Sequence, residues 1–149
     1  MAIATSHRTR AALRSDDPLD DSGKLLLRLV LGGLMLLHGI SKVSGGIDPI
    51  LGAVAKTGLP AALGYLVYAG EVVAPLLLIV GLFTRAAAGV IVINMVVAVA
   101  LMHRAQLATL SANGGWALEL QGFYLASALA LVLLGAGRFS VGGRNGRWN

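Results

Sequence analysis

The sequence predicts an all-α protein, a transmembrane four-helix bundle with both termini in the cytoplasm. Of the 149 residues, 56% are hydrophobic and only 13% are charged, whereas an ordinary soluble domain carries about 25% charged residues. Four apolar segments each approach the roughly 20 residues that a helix needs to cross a bilayer. The basic residues are concentrated on one side of these segments. Together these observations predict a multi-pass membrane protein in contact with the lipid bilayer.

The predicted membrane domain covers residues 24–138 and contains four spans. The spans are residues 24–42, 61–83, 86–103 and 116–136. None of them alternates apolar with polar residues as a strand of a membrane barrel does, so helices are favoured. Residues 1–23 are predicted to form a mobile cytoplasmic tail that leads into the first helix, with Asp21 or Ser22 as its N-cap. Residues 139–149 are predicted to form a basic cytoplasmic tail.

The connections between the spans differ in length and composition. The longest, residues 43–60, contains "DPILGAVAK", which could form a short helix at the membrane interface. The dipeptide "TR" at 84–85 is predicted to make a tight turn between the second and third spans. Residues 103–115 form a polar loop rich in Ser, Asn and Gly.

The distribution of Lys and Arg predicts the orientation, because cytoplasmic loops of membrane proteins carry an excess of basic residues. With four spans, both tails and the second connection lie on one side of the membrane. That side holds nine basic residues, which are Arg8, Arg10, Arg14, Lys24, Arg28, Arg85, Arg138, Arg144 and Arg147. The opposite side holds three, Lys42, Lys56 and Arg104. Both termini are therefore expected in the cytoplasm.

Titratable residues interrupt every predicted span, and all of those singled out here lie in the outer half of the bundle. His38 and Lys42 end the first span, Glu71 lies near the middle of the second, His103 ends the third, and Glu119 begins the fourth. An ionisable group in lipid costs at least about 2.5–3.5 kcal/mol on insertion scales, so such groups usually face the interior of a bundle. We therefore treat these five residues as ligand-binding candidates.

Glu71 and His38 are the strongest of these candidates because they lie deepest. Pro75 cannot donate a backbone hydrogen bond to the carbonyl of Glu71, which leaves an acceptor near the carboxylate. Tyr68 lies one turn before Glu71 on the same helical face and is a sixth candidate. Because the first two helices are antiparallel neighbours, His38 and Glu71 are predicted to share one site.

A purely structural interpretation stays open for the other titratable residues. Lys42 is expected to extend toward the outer headgroups, and Arg28 toward the cytoplasmic ones. His103 could lie among headgroups beside Arg104. Glu119 could be a first-turn carboxylate that the helix dipole favours.

The residue types favour some chemistries over others. Protonatable groups beside Tyr68 would suit quinone or quinol binding with proton exchange. The absence of cysteine excludes Fe–S ligation and thiolate metal sites in this chain. Two imidazoles could ligate haem, and one His with two Glu could hold a metal, but no local motif supports either, so no metal site is predicted. No basic stripe with interleaved aromatic residues is present, which argues against nucleic acid as a partner.

Three stretches resemble the DoxX family of small bacterial four-helix membrane proteins. "LLRLVLGGLMLLHGISK" is similar to the family's first helix, with an Arg–Leu start and a HGxxK ending. "YAGEVVAPLLLIVGLFTR" is similar to the second helix, and "LLGAGRFSVGG" to the family's closing motif. The resemblance covers about residues 25–142. The closing motif departs from the family at Phe139, where tyrosine is usual, and at Val141 and Gly142, where a Leu–Asp pair is common.

The resemblance implies a link to redox metabolism. DoxX proteins are related to a membrane subunit of thiosulfate–quinone oxidoreductase, and some join complexes with soluble sulfurtransferase and superoxide dismutase partners. By motif, His38, Lys42 and Glu71 match the family's polar positions, and His103 and Glu119 match them less closely.

The favoured interpretation is an integral subunit of the bacterial inner membrane. It would bind quinone or quinol in the outer half of the bundle and dock soluble oxidoreductase or sulfurtransferase partners. A non-catalytic membrane anchor or scaffold and a small proton-coupled transporter are the alternatives. The sequence assigns no catalytic residue, and it leaves the oligomeric state open, including a homo-oligomer.

Overall fold

The computed structural model describes residues 18–144, 146 and 148–149. Within these residues the protein is all-α, as the sequence predicts, and contains no strand. The α-helices of this part of the chain are α1 (Pro18–Gly45), α2 (Asp48–Lys56), α3 (Ala74–Val80), α4 (Thr84–Met102) and α5 (Glu119–Leu134). They pack against one another as a bundle, with α2 packed at one end against α4 and residues 61–66. We call that end, which also holds residues 103–118, the loop end.

Helix α1 begins at Pro18, six residues before the predicted span. Proline suits the first position of a helix because an N–H there would have no partner within the helix. The carboxylates of Asp20 and Asp21 interact favourably with the positive end of the helix dipole. Asp21 and Ser22 therefore lie inside the helix rather than at its N-cap. Residues 18–23, predicted as tail, belong to α1, and residues 1–17 lie outside the described residues.

The second apolar stretch, Ala61–Val80, is not one regular helix. It opens as a 3₁₀-helix (Ala61–Leu66), passes into a π-helix (Ala69–Val73) and continues as α3. The π-helix precedes Pro75, whose missing N–H interrupts the regular i→i−4 hydrogen-bond pattern. A proline thus changes the local helix geometry without ending the stretch.

The turn that leads into α4 lies at residues 81–83 and not at residues 84–85. Gly81 adopts a left-handed conformation, with φ of 75°, and its N–H donates to Leu77 O over 2.8 Å. A glycine in this conformation is a common helix ending because it has no Cβ to clash. Thr84 and Arg85 are the first residues of α4.

Three stretches of the described chain are long and apolar enough to cross a membrane. They are Pro18–Gly45, Ala61–Val80 and Thr84–Met102. Helix α5 is apolar but has only 16 residues, or about 24 Å of helix against a hydrocarbon thickness of about 30 Å. The four-span count and the cytoplasmic position of both termini stay predictions.

The core of the bundle is formed where four of these elements meet. Its largest fully buried apolar side chains come from α1, α3, α4 and α5, and are Met35, Leu78, Ile91 and Leu131. Large apolar side chains also cover the outside, among them Ile93, Phe123 and Leu133, which are more than half exposed. Such an apolar exterior is stable in lipid, where no polar surface is needed. The protein is therefore a membrane protein whose helices contact the bilayer.

Arg28 holds the end of the bundle opposite the loop end together. It is 1% exposed, and its Nε donates to Leu78 O over 2.8 Å. Its Nη1 donates to Ala136 O and Phe139 O over 2.7 and 2.9 Å. The guanidinium thus links α1, α3 and the segment after α5. The prediction that Arg28 extends to the headgroups is therefore wrong.

The predicted basic tail, residues 139–149, packs against the helices where it is described. Arg144 forms an ion pair with Asp21, which is 1% exposed. The Thr84 N–H donates to Oδ1 of Asn149 over 3.1 Å, so the Asn149 side chain satisfies an orphan donor at the start of α4. Asn145 and Arg147 lie outside the described residues.

Candidate functional site

A buried carboxylate marks the candidate site. Glu71 is only 4% exposed and lies in the π-helix of the second apolar stretch. Such π-helical turns are rare and occur frequently at functional sites. Glu71 therefore combines two unusual features, an ionisable side chain in an apolar bundle and an irregular backbone beneath it.

Two side chains from other helices bind this carboxylate. Lys42, near the end of α1, donates its Nζ to Oε2 of Glu71 and forms an ion pair. Asn94, in the middle of α4, donates its Nδ2 to Oε1 over 3.5 Å. The Lys42 side chain is 25% exposed, so the ion pair lies just inside the bundle surface. The sequence predicted that Lys42 extends to the headgroups. In the structure it binds Glu71 instead, because this buried acid lies within its reach.

Two tyrosines lie beside the backbone of Lys42. The Tyr68 hydroxyl donates to Lys42 O over 3.3 Å. The Tyr65 ring lies 6.3 Å from the Tyr68 ring, centroid to centroid, and Tyr65 is 56% exposed. We call Tyr65, Tyr68, Lys42 and Glu71 the Tyr–Lys–Glu site. It contains an exposed aromatic ring and a buried acid, with Lys42 between them in the chain of contacts.

Two glycines allow the helices to come close enough for these contacts. A Cβ at Gly39, one turn before Lys42, would overlap the carbonyl oxygen of Glu71 and lie 2.7 Å from Cγ2 of Val72. A Cβ at Gly70 would overlap the side chain of Asn94. Small residues at such positions let membrane helices approach closely. The same residues that pack the bundle therefore position the groups that bind Glu71.

The energetics of the ion pair favour a role beyond packing. Taking two charges out of water costs several kcal/mol per ion, and their attraction repays this only with good geometry and further hydrogen bonds. Apolar residues of similar size are often as stable or more stable at such places. A buried pair of this kind in a membrane protein is a functional-site hypothesis by default.

The structure places the other three candidates outside this site. His38 is exposed; its Nδ1 lies 3.0 Å from Leu34 O, and its ring makes an edge contact with Tyr124 at 5.6 Å. His103 Nδ1 lies 3.0 Å from Oε1 of Gln106, beyond the end of α4. Glu119 is exposed in the first turn of α5. Of the six candidates, the structure thus brings together Lys42, Tyr68 and Glu71.

Sequence reasoning did not assign Asn94 to the site of Glu71. The available signal was a single amide in the apolar run "VIVINMVVAVA", which indicates a buried partner but does not say which one. The sequence also could not show that Gly39 and Gly70 lie where helices approach closely, because many glycines in apolar helices face no neighbour. Gly33 and Gly89, for example, have nothing within 4 Å of an added Cβ.

The bundle has an apolar exterior and an ion pair between its helices. These two features define an integral membrane protein with an internal polar site. A model of the DoxX family matches residues 23–104. This match covers more than half of the chain, and the chain therefore belongs to the DoxX family, as its motifs predict. No curated protein and no solved structure matches it. The matched region contains Lys42, Tyr68, Glu71 and Asn94, and it ends before Glu119.

Proposed function

We propose that this protein is a redox-linked subunit of the bacterial inner membrane that binds quinone or quinol at the Tyr–Lys–Glu site. The observation that carries the proposal is the ion pair of the partly exposed Lys42 with the buried Glu71, beside two neighbouring tyrosines. A quinone needs an aromatic face for its ring, donors for its carbonyl oxygens and a group that exchanges protons.

The site offers each of these groups from a different residue. The exposed Tyr65 ring and the neighbouring Tyr68 ring supply the aromatic face. The partly exposed Lys42 ammonium is a donor, and the Tyr68 hydroxyl would become one by turning its hydrogen from Lys42 O to the ligand. Glu71 lies behind Lys42 and is the proton-exchanging group, because a carboxylate and an ammonium in contact can pass a proton between them. The ligand would enter sideways from the bilayer, where quinones are dissolved.

The membrane subunit and its partner proteins would have different roles in quinone reduction. Reduction of a quinone takes two electrons and two protons, and this chain contains no cysteine that could carry electrons as a thiol. A soluble oxidoreductase or sulfurtransferase partner would supply the electrons. The membrane subunit would hold the quinone and handle the protons.

The test is a quinone inventory of the purified full chain. The protein extracted in mild detergent should contain bound quinone, measured by solvent extraction and mass spectrometry. Lys42→Met and Tyr68→Phe should each lower the affinity for an added short-chain quinone about ten-fold or more, because each removes a hydrogen-bond donor from a poorly solvated site. Absence of bound quinone from the wild-type protein, together with no binding of added quinone, would contradict the proposal.

Lys24→Met is the matched control. Lys24 forms an ion pair with Asp20 over 2.6 Å and lies 18 residues before Lys42 in the same helix, or about 27 Å along its axis. This variant removes the same charge from α1 and should retain the wild-type quinone content. An equal loss in Lys24→Met and Lys42→Met would show that the effect comes from the charge of the helix and not from the site.

A further inference from the structure

Two cavities meet at the loop end of the bundle, away from the Tyr–Lys–Glu site. The first, of about 400 Å³, lies between α4 and α5 and is lined mainly by apolar side chains such as Met95, Val99 and Leu125. The second, of about 620 Å³, lies between α2 and the end of α4. Ala100 and Arg104 line both cavities. The two spaces are therefore neighbours around the last turn of α4.

The second cavity is basic. Lys56, at the end of α2, and Arg104 both line it, and both side chains are exposed. No acidic residue lines either cavity in the part of the chain that the structure describes. Within the same residues neither Lys56 nor Arg104 forms an ion pair, whereas Lys42, the third basic residue of this end, is paired with Glu71. The cavity thus presents two uncompensated positive charges.

The first cavity is apolar and opens at the level of an interfacial tryptophan. Trp116 lines it, is 41% exposed and donates its indole N–H to Leu107 O over 2.9 Å. Tryptophan is enriched where hydrocarbon meets headgroups, since its ring is apolar and its N–H polar. An apolar space beside such a residue is suited to an acyl chain that descends from the headgroups, and its volume of about 400 Å³ lies within the usual range of ligand pockets.

We propose that the loop end binds one anionic phospholipid, with its phosphate between Lys56 and Arg104 and an acyl chain in the apolar cavity between α4 and α5. The charge of the basic cavity complements a phosphate group, because Lys and Arg near a membrane surface attract anionic lipids. Arg104 joins the two parts, because it lines both the basic and the apolar cavity. This site is independent of quinone binding, since it shares no residue with the Tyr–Lys–Glu site.

The test compares lipids on the full-length protein. Purified protein is incubated in detergent with phosphatidylglycerol or phosphatidylcholine of the same chain length, and bound lipid is measured by native mass spectrometry. Phosphatidylglycerol should bind more tightly than phosphatidylcholine. Lys56→Gln and Arg104→Gln should each weaken it about five-fold, the effect of one basic residue near an anionic lipid. Glycerol phosphate, which has the phosphate but no acyl chain, should bind far more weakly.

Two further variants separate the parts of the site. Ala100→Trp fills the junction of the cavities without changing charge and should also lower phosphatidylglycerol binding. Arg138→Gln removes an exposed arginine at the opposite end and should leave it unchanged. Equal binding of the two lipids would overturn the proposal. So would an effect of Arg138→Gln equal to that of Arg104→Gln, or equally tight binding of glycerol phosphate.

Discussion

Lys42 and Glu71 are separated by 29 positions in the chain, yet the Lys42 ammonium donates directly to the Glu71 carboxylate. Gly39 makes this possible, because it lets α1 lie against the backbone of the π-helix that carries Glu71. Asn94 completes the arrangement from α4. One carboxylate thus connects three separate segments of the bundle, and each of its partners has a reason to be in the apolar interior.

The Lys42–Glu71 pair predicts a strong energetic coupling. Lys42→Met should lower the free energy of unfolding by about 3 kcal/mol, the lower part of the range for a broken buried pair, since Lys42 is partly exposed. The Lys42→Met/Glu71→Gln double variant should be little less stable than Lys42→Met alone, because no charge is then left unpaired. Unfolding in mixed detergent micelles measures both. Additive losses would show that the two side chains are energetically independent.

Gly39 should be intolerant of even one added methyl group. Gly39→Ala should destabilise the protein by about 1–3 kcal/mol, as overpacking does, because the new Cβ overlaps the carbonyl oxygen of Glu71. Gly33→Ala is the control in the same helix, since a Cβ there meets nothing within 4 Å. It should be neutral or stabilising by up to about 1 kcal/mol, because alanine favours helix over glycine. Equal effects of the two substitutions in detergent unfolding would contradict the close approach.

The sequence was sufficient to predict the all-α class and the approximate position of three apolar segments long enough to cross a membrane. Both depend on local composition, since a run of about 20 apolar residues is itself the signal for a membrane helix. Helix ends were less accurate. The start of α1 at Pro18 and the π-helix before Pro75 depend on capping and backbone hydrogen bonds, which hydropathy does not record.

The partner of Glu71 could not be predicted, because it depends on how two helices are rotated about their axes. His38 and Lys42 lie one turn apart on nearly the same face of α1, and both are at a suitable depth. In the structure Lys42 binds Glu71, and the His38 ring contacts Tyr124. A small rotation of α1 decides between them, and that rotation is set by Gly39 and the packing around it.

Arg28 should be replaceable neither by methionine nor by lysine. Its guanidinium donates to four carbonyl groups, the fourth being Ile79 O over 3.2 Å, and the single ammonium of lysine cannot reproduce this planar set of donors. Arg28→Lys should lower the free energy of unfolding by at least about 2 kcal/mol, since buried carbonyls lose their donor. Arg138→Lys, at an exposed position, should change it by less than about 0.5 kcal/mol. A stable Arg28→Lys protein in detergent unfolding would contradict this assignment.

The orientation of the bundle is a separate prediction, drawn from the nine-to-three distribution of basic residues. Both termini should be cytoplasmic, because excess Lys and Arg are retained on that side. Reporter fusions after Asn149 and in the loop near Ala53 should give opposite signals, the first cytoplasmic and the second periplasmic. A periplasmic signal at Asn149 would invert the bundle and place Lys56 and Arg104 on the cytoplasmic side.

His38 and Lys42, the two candidates in α1, should differ in their energetic coupling to Glu71. Among the described residues His38 has no hydrogen bond or ion pair with Glu71, and its contacts are to Leu34 O and the Tyr124 ring. The losses of stability in His38→Ala and Glu71→Gln should therefore come closer to adding in the double variant than those of the Lys42 pair do, because His38 and Glu71 share no hydrogen-bond partner. The Lys42→Met/Glu71→Gln pair, measured in the same micelles, should instead deviate from additivity by at least about 1 kcal/mol. If His38 showed the larger coupling, then α1 would be rotated relative to this structure, and Lys42 would lose its assignment as the partner of Glu71.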